Sequence, residues 1–287
     1  LTTYCNWDHP DGHKDHSTCN ATVNNNFDKN ENSINFFDFK NKGKNEVQST
    51  NSPLIVNSAS YRVIPFPAES PIHPGGSPAL VSNPWTAAPG NATSLKWHTG
   101  LAGADYTYTR GNNVWAYEDR LASNAGSLAK SASSTTTPDP LTFDFVPNFT
   151  LEPTVTTPTQ NQQFNITNLF YWNNVIHDVM YQYGFNEVTG NFQDDNQGRG
   201  GAGNDHVNAE AQDGVGTNNA NFSTPNDGSS GRMQMFLWTA PTPDRDGDVD
   251  NGIIVHEYGH GISNRFTGGP NVSTCLQNTE QMGEGWS

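Results

Sequence analysis

The stretch Ile253-Ile254-Val255-His256-Glu257-Tyr258-Gly259-His260-Gly261-Ile262 decides how this chain is read. Apolar residues at 253, 254, 255 and 262, and Phe266 beyond, predict a core helix. On a helix, residues four apart share one face, with Cβ atoms about 5–6 Å apart. His256 and His260 therefore point the same way, and their imidazoles can converge on one metal ion. Glu257 then lies beside them. Two histidines and a glutamate within an apolar helix are costly unless they are paired or bind a metal.

Glu284 stands 24 residues beyond His260, inside Gly283-Glu284-Gly285-Trp286-Ser287. A glutamate on a second helix completes a His-His-Glu set, and three protein ligands leave a fourth position for water. Two neutral imidazoles and a carboxylate leave the Zn2+ site with one positive charge. Zinc brings the pKa of its water to about 7, and Glu257 is the candidate general base. The pattern points to metal-assisted hydrolysis of peptide bonds. The other reading of Glu284 is a helix-capping acid in a glycine-rich turn.

The run HEYGHGISNRFTGGP, a cysteine, and then MGEGWS resembles the secreted zinc metallopeptidases of the fungalysin family. So do ASYRVIPFPAESP (59–71), TRGNNVWAYED (109–119), NLFYWNNVIHDVMYQYGFNEVTGNFQ (168–193) and RMQMFLW (232–238). The resemblance runs from about residue 58 to the end. It implies a thermolysin-like, two-lobe α+β fold, with a β-rich N-terminal lobe that carries a long helix and ends in the zinc helix. By position, it implies that His256, His260 and Glu284 hold zinc, that Glu257 is the base, and that Asn219 and Ala220 belong to an edge strand binding substrate backbone. The family's helical C-terminal lobe supplies an oxyanion-stabilising histidine, and an aspartate orienting a zinc-bound histidine is expected one residue after Ser287. That lobe is expected outside this chain, either on a second polypeptide or removed. Two functions follow. The first is a secreted zinc endopeptidase acting on protein or peptide substrates, to which a substrate adds as a strand along the β-lobe edge. The second is a catalytically incomplete fragment serving as a structural or surface module.

Composition narrows the field. A net charge of −15 leaves no basic surface to neutralise phosphates, so nucleic acid is not an expected partner. No run of 18 apolar residues exists, so no membrane-spanning helix is expected. The chain starts at Leu1 without a signal-like stretch, as expected of a processed, secreted product. Cys5 and Cys19 enclose 13 residues and are expected to pair. Cys275 is left over, as a buried free thiol or a partner for the other lobe. Sequons at Asn20, Asn91, Asn148, Asn165, Asn221 and Asn271 matter only on a eukaryotic secretory route.

Residues 1–57 read as a polar, Asn-rich arm. In the family this region follows a removed prodomain. Residues 58–250 read as the β-rich lobe, with strands at Tyr61–Phe66, Tyr106–Thr109 and Met233–Trp238, and a helix over 162–183. Residues 194–230 are expected to form a hairpin region, and 251–287 the zinc helix with the start of the next. His177 reads as a core histidine rather than a ligand. Asp244, Asp246, Asp248 and Asp250 alternate around Gly247 like half a calcium loop, so Ca2+ is a second expected cation. The other reading is a solvated acidic turn in which Asp250 caps the zinc helix, and both can hold at once.

Overall fold

The computed structural model describes residues 56–153, 160–277 and 282–287. The polar arm lies, except for its last two residues, outside the described residues, as does the Cys5–Cys19 loop. The fold is mixed α/β. Three strands, β1 (Ala59–Val63), β2 (Ala79–Ser82) and β4 (Leu141–Phe143), form one sheet in the order β2-β1-β4. A second sheet has the order β3-β5-β7-β6, from β3 (Val114–Glu118), β5 (Val207–Ala211), β6 (Ala220–Ser223) and β7 (Arg232–Met235). A short antiparallel pair, β8 (Leu237–Trp238) and β9 (Arg245–Asp246), leads to the zinc-motif helix.

Strand alternation works as the sequence suggests in β1, where Ala59, Tyr61 and Val63 are buried and Ser60 and Arg62 are not. It fails at Tyr106–Thr109. There the backbone is hydrogen-bonded to neighbouring loops but forms no ladder beyond an isolated bridge, Tyr108 to Ser133, and the strand proper is β3. The hairpin expected over 194–230 is also redrawn. β5 runs parallel to both β3 and β7, and only β6 returns antiparallel, to β7. Parallel pairing is non-local and requires a long crossover connection, which a local sequence pattern does not register.

Helix α1 (Gln160–Gln182) is the spine, about 34 Å long. Both ends of its reading hold within two residues, and Gly184 stops it with φ of 99°. It packs on both sheets, so it is buried nearly all round and most of its buried polar side chains are internally bonded. Asn168 is the clearest case. Its Oδ1 accepts from Ile64 N, and its Nδ2 donates to the Asp248 carbonyl and to Asn251 Oδ1. Asn251 in turn donates Nδ2 to the Ala68 carbonyl and its backbone N to Glu69 O. One amide thus ties the end of β1 to the start of α2 (Asn251–Gly268). His177 is a core histidine, with Nδ1 against Asp178 Oδ1 and Nε2 against Gln193 Oε1.

Candidate metal centre

Helix α2 begins at Asp250, whose Oδ1 accepts from Gly252 N and Ile253 N. A cap of this kind satisfies donors the helix cannot, and its charge suits the helix N-terminus. One face is buried through Ile254, Tyr258, Gly261 and Arg265. Tyr258 meets the Phe192 ring edge-on at 5.7 Å. Gly261 lies so close to the sheet side that a Cβ there would stand 2.7 Å from Phe192 and 2.9 Å from Phe222 of β6. At the far end Arg265 is fully buried. It pairs with Asp205 at 2.7 Å and donates to the carbonyls of Gly190, Asn226 and Ser229. The expected core helix is in fact one-sided, because Val255 and Phe266 are exposed.

The opposite face carries the motif. The His256 and His260 rings lie 4.6 Å apart, nearly perpendicular. Glu284, on the short helix α3 (Gly283–Trp286), reaches back to both. Its Oε2 is 3.0 Å from His256 Nε2 and 3.6 Å from His260 Nε2. All three ligand atoms lie within 4.8 Å of one another. Two imidazole nitrogens and one carboxylate oxygen, with space on the cleft side, match the donor set of a hydrolytic zinc site. Glu257 stands alongside, with Oε2 4.0 Å from His260 Nε2. That oxygen is buried and receives no hydrogen bond. Burial, and after it the charge of Glu284, push the Glu257 carboxyl up to about 8. Burial holds His260 below its ordinary value.

Ser287 was missed by the sequence reading, which looked for an orienting aspartate one residue later. Its Oγ donates to the Gly283 carbonyl at 2.6 Å and lies 2.8 Å from His260 Nδ1. With the hydroxyl proton so committed, Nδ1 of His260 is the N–H donor, and Nε2 keeps its lone pair toward Glu284. The signal was the residue type alone; only the docking of α3 on α2 gives it a partner.

The motif opens into a cleft of about 910 Å³. One wall is β6 with Asn219, and the floor is α2 with Ile253, His256, Glu257 and His260. Asn219 and Ala220 thus share the cleft with the three ligands. β6 is the outer strand of its sheet, paired on one side by β7. The four aspartates of the acidic turn are not gathered into one cluster among the described residues. Asp250 is the helix cap. Asp246 accepts from Asn165, Gln212 and the Asp248 backbone. Asp248 is fully buried, and neither of its oxygens is hydrogen-bonded. Asp244 donates its backbone N to Glu152. The Asp250 cap is formed, and it does not compete with a cation at the turn. Cys275 is corrected: it is disulfide-bonded rather than a free thiol.

A one-sided helix with two histidines and a glutamate, closed by a second glutamate and set beside an open sheet edge, defines the class of metal sites built on this motif. The family model described as Fungalysin metallopeptidase (M36) matches residues 60–287, and the chain belongs to that family. It is 44% identical over 233 residues to "Extracellular metalloproteinase 2" of Trichophyton tonsurans, a match covering 80% of this chain and 35% of the relative. It is 45% identical over 233 residues to "Probable extracellular metalloproteinase 2" of Trichophyton verrucosum, again covering 80% and 35%. It is 44% identical over 237 residues to "Extracellular metalloproteinase MEP" of Fusarium vanettenii, covering 81% and 35%. The chain spans about a third of the length of the curated relatives it matches.

Proposed function

We propose that this chain carries the zinc-binding part of an extracellular endopeptidase that cleaves extended protein or peptide substrates. The observation that carries the proposal is the convergence of His256, His260 and Glu284 within 4.8 Å, beside the unpartnered buried Oε2 of Glu257. His256 Nε2, His260 Nε2 and a Glu284 oxygen would hold the ion. When bound, zinc supplies Lewis acidity that polarises a carbonyl and acidifies water near neutral pH. Glu257 takes the proton of the attacking water and returns it to the leaving nitrogen. Ser287 fixes the tautomer of His260. The β6 edge receives the substrate backbone as an added strand, and Asn219 and Ala220 flank the scissile bond. The names of the relatives support an extracellular location. The match supports a thermolysin-like arrangement in which a further helical lobe completes the cleft. In the relatives the remaining length belongs to the same chain, so a separate second polypeptide finds no support.

The test is zinc content together with casein cleavage. Glu257→Gln keeps one zinc and lowers cleavage at least about a hundredfold. Cleavage at the parent rate in that variant removes Glu257 as the base. A parent chain that binds zinc tightly and cuts nothing supports the other reading, an incomplete fragment.

A further inference from the structure

A second group of ligand-type side chains lies outside the cleft. Asp119 directly follows β3, Glu210 sits near the C-terminal end of β5, and Asp213 follows two residues beyond it. Each offers an oxygen within 4.8 Å of the other two. All three residues are buried, at 0%, 0% and 1% exposure. The parallel register explains how they meet. Tyr117 pairs with Glu210 and Glu118 with Ala211, so both strands deliver carboxylates at the same end.

Most of the oxygens have donors. Asp119 accepts from Ser123 N and Oγ, from Asn124 N and from Lys130 Nζ at 2.7 Å. Asp213 accepts from Val215 N and Gln234 Nε2. Glu210 Oε1 accepts from the Tyr117 hydroxyl at 2.9 Å. Glu210 Oε2 is buried and receives nothing. The nearest cation to it is Arg232, whose Nε stands 3.9 Å away, beyond hydrogen-bond reach. Three carboxylates thus share one buried spot, with Lys130 bonded to Asp119 and Arg232 standing 3.9 Å from Glu210. An unpaired carboxylate oxygen at such a place is expensive unless a cation or a proton meets it.

We propose that Asp119, Glu210 and Asp213 bind a hard divalent cation, calcium by preference. Every donor is oxygen, which disfavours zinc and copper. Calcium accepts irregular sets of carboxylate and carbonyl oxygens, whereas magnesium demands near-ideal octahedral geometry. The ion ties the 119–124 turn and the 213–215 turn to the ends of the two strands. This site is independent of the histidine centre, and its test does not use peptidase activity.

Terbium(III) is the probe, a hard calcium mimic whose emission is excited by a neighbouring aromatic ring. Tyr117, bonded to Glu210, and Trp115, 5.3 Å from it, are the excitation donors. The zinc-loaded full chain, stripped of calcium by a zinc-sparing chelator, is titrated with terbium and then with calcium. Saturable sensitised emission is expected, displaced by calcium, and calcium alone raises the melting temperature. Glu210→Gln and Asp213→Asn each weaken terbium binding about tenfold or more. Asp248→Asn, which alters a different unpartnered buried carboxylate, leaves it unchanged. Absence of saturable emission and of any calcium-dependent melting shift in the parent chain overturns the site. So does unchanged terbium affinity in either variant; if one fails to fold, the other decides. Stabilisation by mild acid with none by calcium assigns a proton to Glu210 and also overturns it.

Discussion

At the scale of single residues, the ends of α2 are held by charge. Asp250 meets two backbone donors at the N-terminus, and Asp250→Ala should lower unfolding free energy by about 1 kcal/mol. A chemical melt checks this; no loss would mean that neighbouring groups satisfy those amides instead. Arg265 is the stronger case. Both it and Asp205 have side chains at 0% exposure, so Arg265→Met leaves a buried carboxylate facing carbonyls. The expected cost is about 3–5 kcal/mol, and less if Asp205→Leu is made with it. The double-mutant cycle is the measurement. A single-variant cost near zero would make the pair dispensable.

At the scale of elements, Gly261 sets how near α2 comes to β6. Alanine is the better helix former by about 1 kcal/mol. Its Cβ at 2.7 Å from Phe192 would nevertheless push the helix off the sheet, at about 1–3 kcal/mol. Gly261→Ala should therefore be net destabilising, and it should raise KM more than it lowers kcat if β6 receives substrate. A gain in stability would show that the rings move aside. Elements are also where the sequence was most and least informative. Helix period alone puts His256 and His260 on one face, and α1 was readable because Phe164, Leu169, Trp172 and Ile176 recur at helical spacing. The partnership of β3 with β5 was not readable. Val114 and Val207 are 93 positions apart and meet only after α1 has been placed. The Asp119–Glu210–Asp213 cluster inherits that invisibility, and so does the bond of Ser287 to His260. The strand expected at Tyr106–Thr109 failed for a related reason. Its alternation is genuine, but the segment pairs only at Tyr108.

At the scale of the whole molecule, buried acids govern the response to pH. Burial, and after it the Asp213 charge, push Glu210 up to about 7, against a lowering influence from Tyr117 and Arg232. Asp119 with Lys130, and Asp213, face it from the neighbouring turns. A folded pKa above the unfolded value means that the fold holds the proton more tightly. This stabilisation is full below about 4.5 and is lost as pH rises through about 7. In calcium-free buffer the melting temperature should fall between pH 5 and pH 8 more steeply in the parent chain than in Glu210→Gln. Parallel slopes would show that Glu210 does not titrate there. Zinc removal acts elsewhere: it takes away a ligand that only the folded site holds, and it should lower the melting temperature.

The amide of Asn168 binds the end of β1 and the first turn of α2 to the same point on the central helix. Those three pieces therefore have no independent way of coming apart. Deuterium uptake at the backbone of residues 253–258 should be as slow as that of the middle of α1, and the floor of the cleft should open only when the whole fold does. Asn168→Ala would separate the two exchange rates, letting the helix that bears the histidines fray long before the molecule melts.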